Sequence, residues 1–295
     1  MQLKEFMKFG IFIPSAGHFT KKYGLKYFTE KVEDLGFNSL WVSDHIIMPK
    51  NIKAPYPFAK DKKATWDTNI PWYDSIILLS MLSTLTKKIE LGTAVLVLPL
   101  REPIVFAKQI ATIDSLSKGR IVLGVGAGWL KDEFDAMGID FKKRGKLLDE
   151  LIEYSHNIWS GEPKEYKGDN YYFPSDFYTY PKPHGKIQFL IGGHSKNALS
   201  RVSRLKSGWL PHQSAPTMNP DELTEPIKFI KELANNDINE DHLRVVLRIN
   251  QSMNYIEKIS DLKETYAQAG VTEIIVDINW ENENSIDDAS KILFS

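Results

Sequence analysis

Residues 89–128 read IELGTAVLVLPLREPIVFAKQIATIDSLSKGRIVLGVGAG. An apolar run at 89–98 is followed by a segment of helical periodicity at 104–116, and then by a second apolar run at 120–125 that stops at glycine. Both runs are β-branched and nearly continuous in apolar residues, which suits strands buried on both faces. Two buried strands joined through a helix pair in parallel by a right-handed crossover.

The same unit recurs on either side. Further runs lie at 8–13 (KFGIFI), 39–43 (SLWVS), 186–191 (KIQFLI), 208–210 (GWL), 243–249 (LRVVLRI) and 273–278 (EIIVDI), the sixth in chain order being the weakest. Helical segments are expected at 21–35, 74–87, 131–159, 197–206, 221–233, 256–269 and 286–293. Eight strand–helix units predict an α/β protein, a (β/α)8 TIM barrel. At roughly 250 residues plus insertions for such a barrel, the whole chain, 1–295, is expected to form one domain.

Two connections are too long for the regular rhythm. Residues 46–73, after the second strand, carry Pro49, Pro55, Pro57 and Pro71 among Tyr56, Phe58, Trp66 and Trp72. So aromatic a loop reads as an ordered lid rather than a disordered linker. Residues 161–185, before the fifth strand, either fold back over the barrel mouth or pack on its outside.

Composition narrows the function classes. The chain is 42% apolar and 25% charged, and its 37 basic residues balance 38 acidic ones. No excess of positive charge marks a nucleic-acid or membrane-surface protein, so the expected partner is a small molecule. There is no cysteine, hence no disulfide, thiolate metal site or thiol nucleophile. The first residues lack the pattern of a secretory signal and no run approaches a membrane span, so a cytoplasmic location is expected.

In a barrel of this type the chemistry sits at the C-terminal ends of the strands. There the chain places Ser15 and His18, then Asp44 and His45, Thr93–Val95, Gly124–Trp129, Gly192–Ser195, Trp209 and His212, and Asn250. Four histidines near one rim would suit a metal hydrolase, but no HExxH or paired HxH accompanies them and carboxylates are few, so no metal site is assigned. No G-x-S-x-G elbow occurs. Gly124, Gly126 and Gly128 form G-x-G-x-G, which is not the dinucleotide fingerprint; they leave space for a flat group at the mouth or make a tight turn. Gly192-Gly193-His194-Ser195 leads from a buried strand straight into a helix whose first amides are free, a construction that binds phosphate. Ser195 is the expected cap of that helix.

Taken together, LWVSDHI at 40–46, LGTAVLVLPLREP at 91–103, GRIVLGVGAGW with DEF at 119–134, RGKLLDELI at 144–152 and FLIGGHS at 189–195 resemble the bacterial luciferase-like flavin and deazaflavin oxidoreductases. Within that family the chain looks most like the branch that uses coenzyme F420, a deazaflavin that exchanges hydride. The resemblance implies a non-prolyl cis peptide at Ala94-Val95 on strand three, with Thr93, Ala94 and Val95 behind the cofactor ring. It further implies Asp44 at the ring edge, His45 as the catalytic group that handles a proton, and Gly192, Gly193 and His194 at the cofactor phosphate, with Trp209 lining the same side. Sugar-phosphate-oxidising members carry a glutamate directly after the strand-four glycines. Here Trp129 stands in that place, so Trp129 is expected to line an apolar substrate pocket with Trp66 and Trp72. Asp132 and Glu133 either approach the ring edge or favour the helix N-terminus.

The implied activity is F420-dependent hydride transfer between a bound deazaflavin and a small organic substrate, in a homodimer. Flavin mononucleotide (FMN) with a monooxygenase activity, or a non-catalytic flavin-binding role, are the alternatives.

Overall fold

A computed structural model describes residues 7–17, 24–57, 61–64, 66–234 and 243–295. His18, Phe58 and the start of the helix expected from residue 21 lie outside them. The strands are β1 (Lys8–Ile13), β2 (Ser39–Val42), β3 (Glu90–Val97), β4 (Ile121–Gly126), β5 (Tyr166–Lys167), β6 (Tyr172–Phe173), β7 (Gln188–Gly192), β8 (Gly208–Leu210), β9 (His212–Ser214), β10 (Val246–Asn250) and β11 (Glu273–Val276). Nine of them form one sheet in the order β8-β7-β4-β3-β2-β1-β11-β10-β9, with every pair parallel.

The two ends of that order are one strand. β8 and β9 flank Pro211, which has no N–H for a ladder. On one side of it the Trp209 N–H donates to the Arg244 carbonyl at 2.9 Å, and on the other the Arg248 N–H donates to the Pro211 carbonyl at 2.9 Å. The sheet therefore closes on itself as a barrel. The weak sixth run is longer than its apolar residues show, because its second half, His212–Ser214, is polar.

Around the sheet run α1 (Gly24–Asp34), α2 (Ser75–Leu85), α3 (Pro103–Ser117), α4 (Lys131–Ala136), α5 (Arg144–Ile158), α6 (Lys196–Arg204), α7 (Asp221–Leu233), α8 (Ile256–Gln268) and α9 (Ser285–Leu293). Local signals set their ends. The Asp74 carboxylate accepts from the Ile76 and Ile77 amides and starts α2, and Glu102 followed by Pro103 starts α3. The single helix expected over 131–159 is two helices. Gly138 (φ +70°) stops α4, with the Ile139 N–H returning to the Phe134 carbonyl (2.9 Å) and the Gly138 N–H to that of Asp135 (3.2 Å). That is a Schellman ending, available to glycine because it lacks a Cβ. Asp140 then caps the short turn that leads into α5.

Side chains inside the barrel stack in layers. Where the strands begin, the Arg244 guanidinium joins Glu90 (3.2 Å), Gln188 (3.0 Å) and Glu273 (2.8 Å), and Glu273 also accepts from the Trp41 indole N–H (3.2 Å) and the Ser39 hydroxyl. Above this polar plug Trp41, Val122, Leu190, Leu210, Val246 and Ile275 fill the middle, and Phe12, Ala94 and Val95 pack on them. A larger apolar layer lies between the strands and the helices.

The two insertions take different paths. Residues 43–74 are tied to the end of β1, with the Gly17 N–H on the Pro71 carbonyl (2.9 Å) and the Tyr73 N–H on the Ser15 carbonyl (2.7 Å). Residues 159–187 carry the β5–β6 hairpin and pack on the outside. Buried Glu150 of α5 accepts from the amides of Asn170 and Tyr171, and Asp114 of α3 accepts from the His184 N–H (2.8 Å). The outer of the two paths open to this segment is the one it takes. Among the described residues no helix is long and apolar enough to cross a membrane.

Candidate active site

The C-terminal half of β3 forms the floor of the mouth. The register of β3 on β4 shifts between Thr93 and Leu96, and the Ala94-Val95 peptide is cis. Three glycines on the neighbouring strands make room for this irregular stretch. A Cβ on Gly126 would lie 2.9 Å from Val95 Cγ2, on Gly192 2.8 Å from Val95 Cγ1, and on Gly124 2.0 Å from the Thr93 carbonyl oxygen. The neighbour these glycines accommodate is β3 itself. Thr93 is fully buried and donates its hydroxyl to the Gly124 carbonyl (2.7 Å), so its side chain ties β3 to β4 instead of facing the mouth. Gly124→Ala is expected to cost about 1–3 kcal/mol, because the methyl group meets backbone that cannot rotate away. Urea unfolding with an unchanged m value would measure this.

His45 follows β2 and stands at the edge of that floor. Its Nδ1 lies 3.1 Å from Glu133 Oε2, and Glu133 Oε1 accepts the amides of Ile46 (2.5 Å) and Ile47 (3.3 Å). Asp44 points the other way. Its carboxylate is wholly buried and accepts from Ser75 Oγ (2.9 Å), the Val97 N–H (3.0 Å) and Arg101, which also holds Asp74 (2.8 Å). Burial pushes the Asp44 carboxyl up, opposed by Arg101, the Val97 N–H and Ser75. In this position Asp44 ties the end of β3 to the start of α2 and to Arg101.

The turn after β7 is built as its sequence suggests. Gly193 has φ +110°, and Ser195 Oγ accepts the Ala198 N–H (3.2 Å) at the start of α6. Trp209 is fully buried and donates its indole N–H to the Gly193 carbonyl (2.8 Å). It ties the sixth strand of the barrel to this turn. The His194 Nε2 lies 3.0 Å from the His212 amide nitrogen and 2.9 Å from the His212 carbonyl oxygen, and desolvation lowers the pKa of His194. His212 is pushed down to about 3 by burial and by Arg248, so its imidazole is neutral near pH 7. Arg248 is itself paired with Asp277 and stacked over Phe12 at 4.0 Å.

With this geometry in view, comparison with known proteins gives a family. The luciferase-like monooxygenase family matches residues 7–270. The chain belongs to the luciferase-like monooxygenase family. Like its named relatives, this luciferase-like protein is an oxidoreductase. An uncharacterised protein of Mycobacterium tuberculosis is 33% identical over 201 residues, 68% of each chain. The F420-dependent glucose-6-phosphate dehydrogenase of Amycolatopsis mediterranei is 28% identical over 184 residues, 61% of this chain and 50% of that enzyme. Among solved structures, the coenzyme F420-dependent tetrahydromethanopterin reductase of Methanopyrus kandleri superposes with a TM-score of 0.73 at 18% identity, covering 98% and 99% of the two chains.

The long loop of this luciferase-like barrel brings the expected aromatic residues together. Ring centroids lie 4.9 Å apart for Trp72 and His45, and 6.2 Å apart for both Trp129 with His45 and Trp66 with Trp129. Tyr56 of the same loop joins them at 4.8 Å from Trp66 and 5.1 Å from Trp129. The indole N–H groups of Trp66 and Trp72 are buried without a hydrogen-bond partner among the described residues. Glu133 is the more important residue that sequence reasoning left undecided. Its signal lies in the spacing of Leu130, Glu133 and Phe134, which puts an acid on the buried face of α4.

Proposed function

We propose that this chain is an F420-dependent oxidoreductase that transfers hydride between a bound deazaflavin and a small, uncharged organic carbonyl compound or alcohol. The observation that carries this reading is the imidazole of His45, held by Glu133 at the edge of the β3 floor. Hydride transfer to a carbonyl needs a proton at oxygen, and an imidazole is the side chain suited to supply or accept it near neutral pH.

The residues present fit a flat ring with a phosphate-bearing chain. The floor at Ala94 and Val95, with Val95 seated against Gly126 and Gly192, would lie against one face of the ring. The turn at Gly192, Gly193 and His194, with the free amides at the start of α6, would hold the phosphate. A bound deazaflavin supplies or takes up hydride. The protein would orient substrate and exclude water with Trp66, Trp72, Trp129 and Tyr56, while His45 exchanges a proton with the substrate oxygen. Trp66 and Trp72 carry indole N–H groups without partners among the described residues, and an oxygen-bearing substrate offers an acceptor.

The named relative at 28% identity is F420-dependent, which supports the deazaflavin over flavin mononucleotide. Its sugar-phosphate substrate is not carried over. Arg101 and Arg248 are committed to Asp44, Asp74 and Asp277, and Trp129 fills the position of the expected glutamate. Titration of the purified protein with F420 and with flavin mononucleotide, followed by cofactor fluorescence, tests the assignment. F420 is expected to bind at least about tenfold more tightly, a difference of about 1.4 kcal/mol. Tight binding of flavin mononucleotide alone would overturn it in favour of a monooxygenase.

A further inference from the structure

We infer that Glu133 is a positioning residue that sets the tautomer of His45 and, by the same carboxylate, fixes the root of the aromatic loop. The inference rests on the proton-transfer role of His45 proposed above. An ionised carboxylate accepts hydrogen bonds and donates none. Glu133 is 1% exposed; the Ile46 and Ile47 amides donate to its Oε1, and the His45 Nδ1 lies 3.1 Å from its Oε2. With Oε1 occupied by two amide protons and the carboxylate ionised, the partner of Oε2 is the one that brings the proton. Nδ1 of His45 is therefore the protonated nitrogen, and Nε2 is left bare as the base.

The chain thus has its acid four residues beyond the place where the sugar-phosphate branch keeps a glutamate, inside the first turn of α4. Trp129 occupies that place, and the carboxylate four residues later acts through the imidazole instead of on substrate. The pairing spans 88 residues of sequence. It also couples His45 to the lid, since Ile46 and Ile47 are the first residues of the loop that carries Tyr56, Trp66 and Trp72.

Glu133→Gln separates this role from simple packing. The glutamine is isosteric, and its carbonyl oxygen can still accept the Ile46 and Ile47 amides. Its NH2 then faces Nδ1 and donates to it, which forces the ring proton onto Nε2. In 15N spectra of protein labelled at its seven histidines, with the His45 signals assigned by their loss in His45→Ala, the wild type is expected to show protonated Nδ1 and bare Nε2. Glu133→Gln is expected to show the reverse. In the direction that needs a base, kcat of Glu133→Gln is expected to fall roughly 10- to 100-fold, as for other groups that orient a functional imidazole, with the F420 dissociation constant changed by less than about threefold.

A wild-type spectrum with the proton on Nε2 overturns the inference, and this holds even if Glu133→Gln does not fold. Reversal of the tautomer with an unchanged kcat also overturns it. If His45→Ala itself retains full turnover, the His45 reading fails, whichever tautomer is seen.

Discussion

His45→Ala is expected to lower kcat by about 10²- to 10⁴-fold while leaving F420 affinity within about threefold. The loss corresponds to roughly 2.7–5.5 kcal/mol of transition-state stabilisation. The measurement is oxidation of reduced F420 with the best acceptor from a panel of aliphatic and aryl ketones. The asymmetry between turnover and binding follows from where His45 stands. Its ring pairs with Glu133 and abuts Trp72 and Trp129, which lie on the proposed substrate side of the mouth. The groups proposed to hold the cofactor are on β3, at the turn after β7 and at the start of α6, none of which depends on the imidazole. Nor should the fold suffer, because Glu133 keeps the Ile46 and Ile47 amides when the ring is removed. An unchanged kcat would refute the proton-transfer role. A parallel loss of affinity and turnover would instead make His45 a structural part of the cofactor site.

The barrel was legible because its signals are local. Near-continuous apolar runs mark strands such as β3 and β4, and Glu102 before Pro103 marks the start of α3 within four residues. The turn at Gly192–Ser195 could be read for the same reason, since strand end, glycines and helix cap are adjacent. The cis peptide at Ala94-Val95 is different in kind: nothing in that apolar run distinguishes it from ordinary strand, and only the family resemblance pointed there. What escaped depends on partners far along the chain. Glu133 is an ordinary first-turn acid until Ile46 and His45 arrive from nearly ninety residues away. Trp209 finds its hydrogen-bond partner in the Gly193 carbonyl, sixteen residues back along the chain. The break between α4 and α5 was hidden by helical periodicity continuing across Gly138, whose left-handed conformation a hydrophobic pattern does not encode.

Arg244→Ala should do the opposite of His45→Ala, removing stability and leaving the mouth alone. The Arg244 guanidinium lies where the strands begin and is the one cation seen against Glu273 among the described residues. Glu273 has no exposed surface, and its remaining partners would be Ser39 and Trp41, both neutral. Two neutral donors do not compensate a buried carboxylate, and removing one member of a buried ion pair typically costs about 3–5 kcal/mol. For a protein whose total stability is on the order of 5–15 kcal/mol, that loss should be large in urea unfolding, as a lowered midpoint with little change in slope. Lys131→Ala provides the control. Its partner Asp135 is solvent-exposed, so the change should be about 0–1 kcal/mol. A loss below about 1 kcal/mol for Arg244→Ala would mean that water or a proton reaches Glu273 and that the plug is not sealed. Cofactor affinity, measured where the variant is fully folded, is expected to match the wild type, because the apolar layer of Trp41, Leu190, Leu210 and Ile275 stands between the plug and the floor. A barrel whose two ends are separated in this way can vary its chemistry at the strand ends without touching the network that keeps it closed.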